Sequence, residues 1–258
     1  MTAGRLPDVA AWPGMELTSV LAGGARAEVF AARRGEQRLV VKVSSRSAAS
    51  LAWELDLLEA LAEAGVRVPA VAPAGGGDRA HEGVVVQSFL PGRPPHTTDE
   101  WQRVAAAIST VHEVTRSWPQ RPGSAGATQL LQATRGVDVD LTAMPLDAVA
   151  LVRACWRALL AQPATAASPE RQCVVHGDLG PGNVLIDDDG VGIIDWDEAR
   201  VDVPAFDLAA LPDDALADPS TSGDRQLLRT AALAWEVATW WTVEPDCARR
   251  CLGQLQRL

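Results

Sequence analysis

Residues 173–199 read CVVHGDLGPGNVLIDDDGVGIIDWDEA, three short apolar runs separated by polar turns. The run 173–175 leads into His176-Gly177-Asp178, Asn183 opens the run 184–186, and the run 191–194 ends at Asp195. Asp187-Asp188-Asp189-Gly190 is turn chemistry between two strands. Turn preference does not account for His176, Asp178, Asn183 and Asp195 together. At a few per cent per residue type, four such positions coincide in roughly one chain in a thousand. Phosphoryl transfer asks for these types. A carboxylate accepts the acceptor's hydroxyl proton and orients it in line. A neutral oxygen and a second carboxylate hold Mg²⁺ against nucleotide phosphates. Gly177, Gly180 and Gly182, with Pro181, let the loop turn tightly and offer backbone groups to the site.

Outward from this segment the chain divides in character. Residues 146–161 and 226–241 carry helical periodicity. Thr97 and Glu100 have capping-box spacing before WQRVAAAISTVHEVT. Residues 117–127 are a Pro/Gly/Ser loop. Residues 16–43 read as strands with turns, and in QRLVVKV the period of two puts Lys42 on the face of Val40. SAASLAWELDLLEALAEAG predicts a helix with Leu51, Leu55, Leu58 and Ala62 in one stripe and Gly65 as its stop. VRVPAV and GVVVQSFL read as two further strands, and LPGRPP suits a hinge. The expected fold class is α+β: a small antiparallel sheet lobe with one helix, residues 1–90, and a larger, mainly helical lobe, residues 91–258, sharing a cleft.

With 258 residues, 47% hydrophobic and 22% charged, the composition is that of a folded soluble chain and excludes disordered and collagen-like ones. No stretch approaches the roughly 18 apolar residues of a membrane span. MTAGRLPDVAAWPG has no apolar core of signal-peptide length, so a cytoplasmic location is expected. Cys155, Cys173, Cys247 and Cys251 read as reduced, mostly buried thiols, since no His or second Cys pair completes a zinc site. The net charge of −10 argues against nucleic acid as partner. Between Asp187 and Asp218 lie eleven acids and one base, Arg200, so the surplus of −10 sits there. Such a cluster suits a solvated face, a metal site or a pocket for a cationic ligand. Beside 22 arginines the chain keeps one lysine, Lys42, a point charge suited to a phosphate oxygen where arginine offers a wide fork.

HGDLGPGNVLID followed by GIIDWDEA resembles the aminoglycoside phosphotransferase and choline kinase-like family, relatives of the protein kinases, and the other parts arrive in the family's order. The resemblance implies a protein kinase-like two-lobed fold and an ATP- and Mg²⁺-dependent small-molecule kinase, with GTP not excluded. It implies Asp178 as catalytic base, His176 as the loop histidine that props the site, and Asn183 and Asp195 as Mg²⁺ ligands. Lys42 matches the phosphate-binding lysine, and Glu54, preferred over Glu59, matches its helix partner. The backbone of Ser88 and Leu90 matches the adenine-binding hinge. LAGGARAEVF stands at the phosphate loop without G-x-G-x-x-G, so Gly23 and Gly24 are weak candidates. Trp196 stands where protein kinases have Phe.

By the same likeness Asp207, in VPAFDLA, braces the catalytic loop. Asp197, Glu198 and Asp202 are candidates for the acceptor side. Glu236 with Trp235, Trp240 and Trp241 joins a carboxylate to aromatic faces, as an amine site does, although core packing accounts for the tryptophans equally. His112 reads as structural. The expected acceptor is a cationic small molecule, an aminoglycoside or basic peptide antibiotic. Choline, homoserine and macrolides are the alternatives within the class, and a catalytically silent nucleotide-binding relative is the alternative outside it. The intact set Lys42, Asp178, Asn183 and Asp195 argues against the silent relative.

Overall fold

The computed structural model describes residues 6–21, 27–162, 172–216 and 225–258. Gly23 and Gly24 lie outside the described residues. Contacts divide the chain into two compact units, Met1–Gly92 with Gly192–Asp197, and Arg93–Val191 with Glu198–Leu258.

The first unit is built on a four-stranded antiparallel sheet in the order β1 (Met15–Val20), β2 (Ala27–Arg34), β3 (Gln37–Ser44) and β4 (Val84–Ser88). Alternation sorts the two faces. Phe30, Ala32, Leu39, Val41, Val84 and Val86 pack on one side with Trp12 and Met15. Lys42, opposite Val29 and Val85 in the register, falls on the other. Helix α1 (Ala48–Glu63) starts on Ser47, whose hydroxyl accepts from the Ser50 N–H at 3.3 Å. Past its end Gly65 sits at φ +81°, where a side chain is strained, and donates to Ala62. The buried stripe is Leu51, Leu55, Leu58 and Leu61; Ala62 faces solvent. VRVPAV is not a strand. Pro69 has no N–H to give a ladder, and the segment makes only single bridges, Val71 to Gln87 and Arg67 to Gly192.

The second unit is mainly helical. Helix α2 (Thr98–Val114) carries the capping box: the Thr97 hydroxyl accepts from the Glu100 N–H, and the Glu100 carboxylate accepts from the Thr97 N–H, both at 3.2 Å. After α3 (Ala127–Leu130) and the short pair β5 (Arg135–Gly136) and β6 (Val139–Asp140) comes α4 (Leu146–Leu160). Strand β7 (Cys173–Val175) precedes the loop 176–183, followed by β8 (Val184–Asp187) and β9 (Gly190–Ile193). β10 (Arg200–Asp202), α5 (Ala205–Leu208), α6 (Arg225–Trp240) and α7 (Pro245–Leu255) complete the order. The core joins α4, α6 and α7 through Val152, Trp156, Ala231, Trp235, Ala238 and Leu255. β10 pairs antiparallel with β7, Arg200 opposite Val175 and Asp202 opposite Cys173, which fixes the stem of the loop 176–183. All four cysteines are free thiols.

Candidate active site

In the first unit the site is organised around one buried ammonium. Lys42 Nζ lies 2.7 Å from Asp195 Oδ1 and 3.5 Å from Asp197 Oδ1. Burial alone would lower its pKa. The charges of Asp197, Asp195 and Glu54 and the hydrogen bond to Asp195 outweigh it, so the ammonium is held more firmly than in an ordinary lysine. Glu54, on α1, is 3% exposed, while Glu59 faces solvent and pairs with Arg79. Lys42 thus pairs directly with the two aspartates, and the charge of Glu54 acts on it as well.

Asp195 adopts φ +63°, the left-handed region, where a non-glycine residue is uncommon and Asp is among the better tolerated. A backbone held there at the end of a strand marks a position whose side-chain direction matters. Trp196 beside it is buried, with its indole N–H on the Ile193 carbonyl. Asp197 Oδ1 is drawn to Lys42. At the strand end, the Ser88 N–H is taken by the Ala70 carbonyl at 2.8 Å, and the Ser88 hydroxyl accepts from the Ala70 N–H. The Ser88 backbone therefore has only its carbonyl to offer a base edge.

In the second unit the loop 176–183 is clamped from below. Asp207, on α5 and fully buried, accepts from the His176 N–H at 2.9 Å and the Gly177 N–H at 3.1 Å. His112, from α2, meets the same carboxylate at 2.9 Å. Burial would raise the Asp207 pKa, but the hydrogen bonds from His112 and the His176 amide outweigh it, and the carboxyl lies below its usual range. Gly177 has φ +84°, and a Cβ there would stand 2.6 Å from the Glu198 carbonyl, so no other residue fits. His176 is fully buried and accepts the Asp178 N–H on Nδ1 at 3.3 Å. Asn183 Nδ2 donates to the Asp178 carbonyl at 2.8 Å and to Asp178 Oδ2 at 2.9 Å. That leaves the Asn183 amide oxygen, a hard ligand, for other use.

Asp178 stands on the wall of a cavity of about 480 Å³, with Gly180, Arg200, Arg229, Trp235 and Glu236. Glu236 lies on α6; desolvation pushes its carboxyl up, against the thiol of Cys251 3.6 Å away, and the Asp178 charge adds to the rise. Several expectations are corrected here. Asp202 is buried and accepts from Arg200 Nε and the Ala127 and Val203 amides, so it holds β10 and faces no ligand. Glu198 borders a separate cavity of about 10 Å³. The tryptophan on the larger cavity is Trp235; Trp240 is not on its wall. Among the described residues none of the acids between Asp187 and Asp214 lines it. Asp197, Asp202 and Asp207 are engaged inside the fold, and Asp213 pairs with Arg225 and Arg229. The carboxylates of the cavity come from elsewhere, Asp178 and Glu236.

Among the described residues no three His, Cys, Asp or Glu side chains gather into a metal cage. No helix there is long and apolar enough to cross a membrane.

The family model described as phosphotransferase enzyme family matches residues 18–241. Viomycin phosphotransferase of Streptomyces vinaceus is 32% identical over 202 residues, 69% of this chain and 67% of that one. The chain belongs to the phosphotransferase enzyme family. Among solved structures, a thermostable aminoglycoside phosphotransferase mutant in ternary complex with AMP-PNP and hygromycin B aligns with a TM-score of 0.67 at 17% identity, over 94% of this chain and 92% of that one. A microcompartment-associated aminopropanol kinase aligns at 0.64 and 18%, over 94% and 89%. Both bear out the kinase-like α+β fold.

Proposed function

We propose that the protein transfers the γ-phosphoryl group of ATP to a hydroxyl of a small, amine-bearing molecule, an antibiotic being the leading candidate. The observation that carries this reading is Asp178, on a loop clamped by Asp207, at the wall of a 480 Å³ cavity that also holds Glu236. Asp178 takes the acceptor's hydroxyl proton as the oxygen attacks phosphorus, and Glu236 holds an ammonium group of the acceptor. Lys42 binds the α- and β-phosphates, steadied by the charge of Glu54. Asp195 and the amide oxygen of Asn183 are the Mg²⁺ ligands, and the ion when bound neutralises charge developing on the phosphates. His176, whose Nδ1 is occupied by the Asp178 amide, positions the loop and takes no proton from the substrate. The Ser88 carbonyl and the Leu90 N–H hold the adenine edge. The viomycin phosphotransferase relationship supports an antibiotic acceptor.

The test is ADP release from Mg²⁺–ATP against viomycin, hygromycin B, other aminoglycosides, macrolides, aminopropanol, choline and homoserine, with Asp178→Ala as blank. Turnover above the blank with an amine-bearing member is the expected result. Turnover restricted to a neutral acceptor such as glycerol, run beside the panel, would overturn the role of Glu236. No turnover, with ATP still raising the melting temperature, would leave a nucleotide-binding protein of another function.

Two substitutions separate the halves of the site. Lys42→Met should weaken ATP binding by about tenfold or more, because a charge-assisted contact of roughly 1.5–3 kcal/mol is removed. The readout is the ATP-induced shift in melting temperature, which should shrink markedly. Glu236→Gln should raise the KM of an amine-bearing acceptor by about tenfold while kcat moves less than about threefold, the pattern of lost uniform binding. An unchanged KM would remove Glu236 from the acceptor site.

A further inference from the structure

The Lys42 face of the four-stranded sheet holds a polar side chain that the proposed reaction leaves unassigned. Val84 and Val86 pack into the core on one side of β4, so the period of two turns Val85 and Gln87 to the other. There Lys42 stands opposite Val85, and Val40 opposite Gln87. The Gln87 backbone is held from both edges, by β3 and by a single bridge to Val71, so its side chain leaves a fixed point. Gln87 is 6% exposed. Among the described residues nothing hydrogen-bonds its carboxamide, and neither amide atom is sealed from solvent.

A carboxamide brings an acceptor, Oε1, and two N–H donors on Nε2. Buried polar groups are almost always paired, and a bare one costs free energy that leucine or methionine does not. Packing alone, beside Val40 and Val85, asks for an apolar residue here. The amide therefore points to a partner from outside the chain. Water can serve it until a ligand that offers the same bonds arrives. Place narrows that ligand. Ser88, the next residue, offers its carbonyl at the strand end, and Lys42 lies one row back, two residues or about 7 Å along the strand. Between an ammonium that takes phosphates and a carbonyl that takes one edge of a base lies the rest of that base.

We propose that Gln87 is a specificity-determining residue of the nucleotide site: Oε1 accepts from adenine N6 and Nε2 donates to adenine N7, which selects ATP over GTP. This rests on the reading of the Lys42 face as the nucleotide site. Adenine shows a donor, N6–H₂, beside an acceptor, N7, and a glutamine amide pairs with both at once. N6 carries two hydrogens, so its bond to Gln87 and its bond to the Ser88 carbonyl are made together. Guanine shows two acceptors there, O6 and N7, and Oε1 would face one of them.

Calorimetry of the full chain with Mg²⁺ and nucleoside diphosphates tests this without turnover. The matched pair is ADP and 7-deaza-ADP, which has a C–H in place of N7 and keeps N6, the ribose and both phosphates. ADP should bind about tenfold more tightly to the unmodified protein. In Gln87→Met, of similar length and without donor or acceptor, the gap should fall to within about twofold. GDP should bind the unmodified protein more weakly than ADP by at least about tenfold, because the Ser88 carbonyl opposes O6 as well. Equal affinities of ADP and 7-deaza-ADP, GDP as tight as ADP, or a gap that survives in a folded Gln87→Met each overturn the role of Gln87 and leave the nucleotide site standing. No binding of any of the three overturns the nucleotide reading, and Gln87 with it. Should the variant not fold, the pair on the unmodified protein decides alone.

Discussion

Replacing Asp178 by alanine is expected to lower kcat by about 10²- to 10⁴-fold, the range a general base contributes, while ATP still binds and the fold survives. The loop does not depend on the carboxylate for its shape. Its turn is closed by backbone atoms that alanine retains: the Asp178 N–H on His176 Nδ1, and the Asp178 carbonyl, which accepts from the Gly180 N–H and from Asn183 Nδ2. The bond from Asn183 to Asp178 Oδ2 is lost. The Lys42–Asp195 pair is made without Asp178 and stays. A steady-state assay, beside the ATP-induced shift in melting temperature, checks both halves. Normal turnover in Asp178→Ala would mean that another group takes the proton.

Features whose physics is local were legible in the sequence. The Thr97–Glu100 box, the Gly65 stop and the Asp187–Gly190 turn follow from a few neighbouring residues, and each stands in the structure. VRVPAV failed for a local reason that was also available, the missing N–H of Pro69. Lys42 stood out as a lone lysine among arginines, and its partnership with Asp195 spans a long stretch of chain that spacing cannot cross. The acid-rich stretch misled because charge along a sequence does not show which side of a strand faces a ligand. β10 turns Asp202 inward to Arg200 and two amides, and α5 turns Asp207 under the loop. Arg200 was visible as the single base among eleven acids.

The second large effect concerns Asp207, and it falls on stability and activity together. Asp207→Ala removes the acceptor for three donors at once: His112 Nε2 and the amides of His176 and Gly177. All lie at a buried carboxylate, so the loss should be about 3–5 kcal/mol, or on the order of 10 °C in melting temperature. Because the clamp sets the loop that carries Asp178, kcat should fall with it even at temperatures where the variant is folded. Asp207→Asn keeps the shape and one good acceptor, and should be less severe on both counts. The effect carries a pH signature. The carboxyl titrates lower in the folded chain than when unfolded. Its stabilisation is therefore complete above the ordinary carboxylate range, about pH 4, and fades as pH falls through the lower folded value. The melting-temperature gap between the unmodified protein and Asp207→Ala should be constant from neutral pH down to about pH 5 and then narrow. A gap that stays open through acid pH would show that the carboxyl acts by filling space and not by its charge. A variant that melts like the unmodified protein would remove Asp207 from the clamp, and with it the account of how Asp178 is held at the cavity wall.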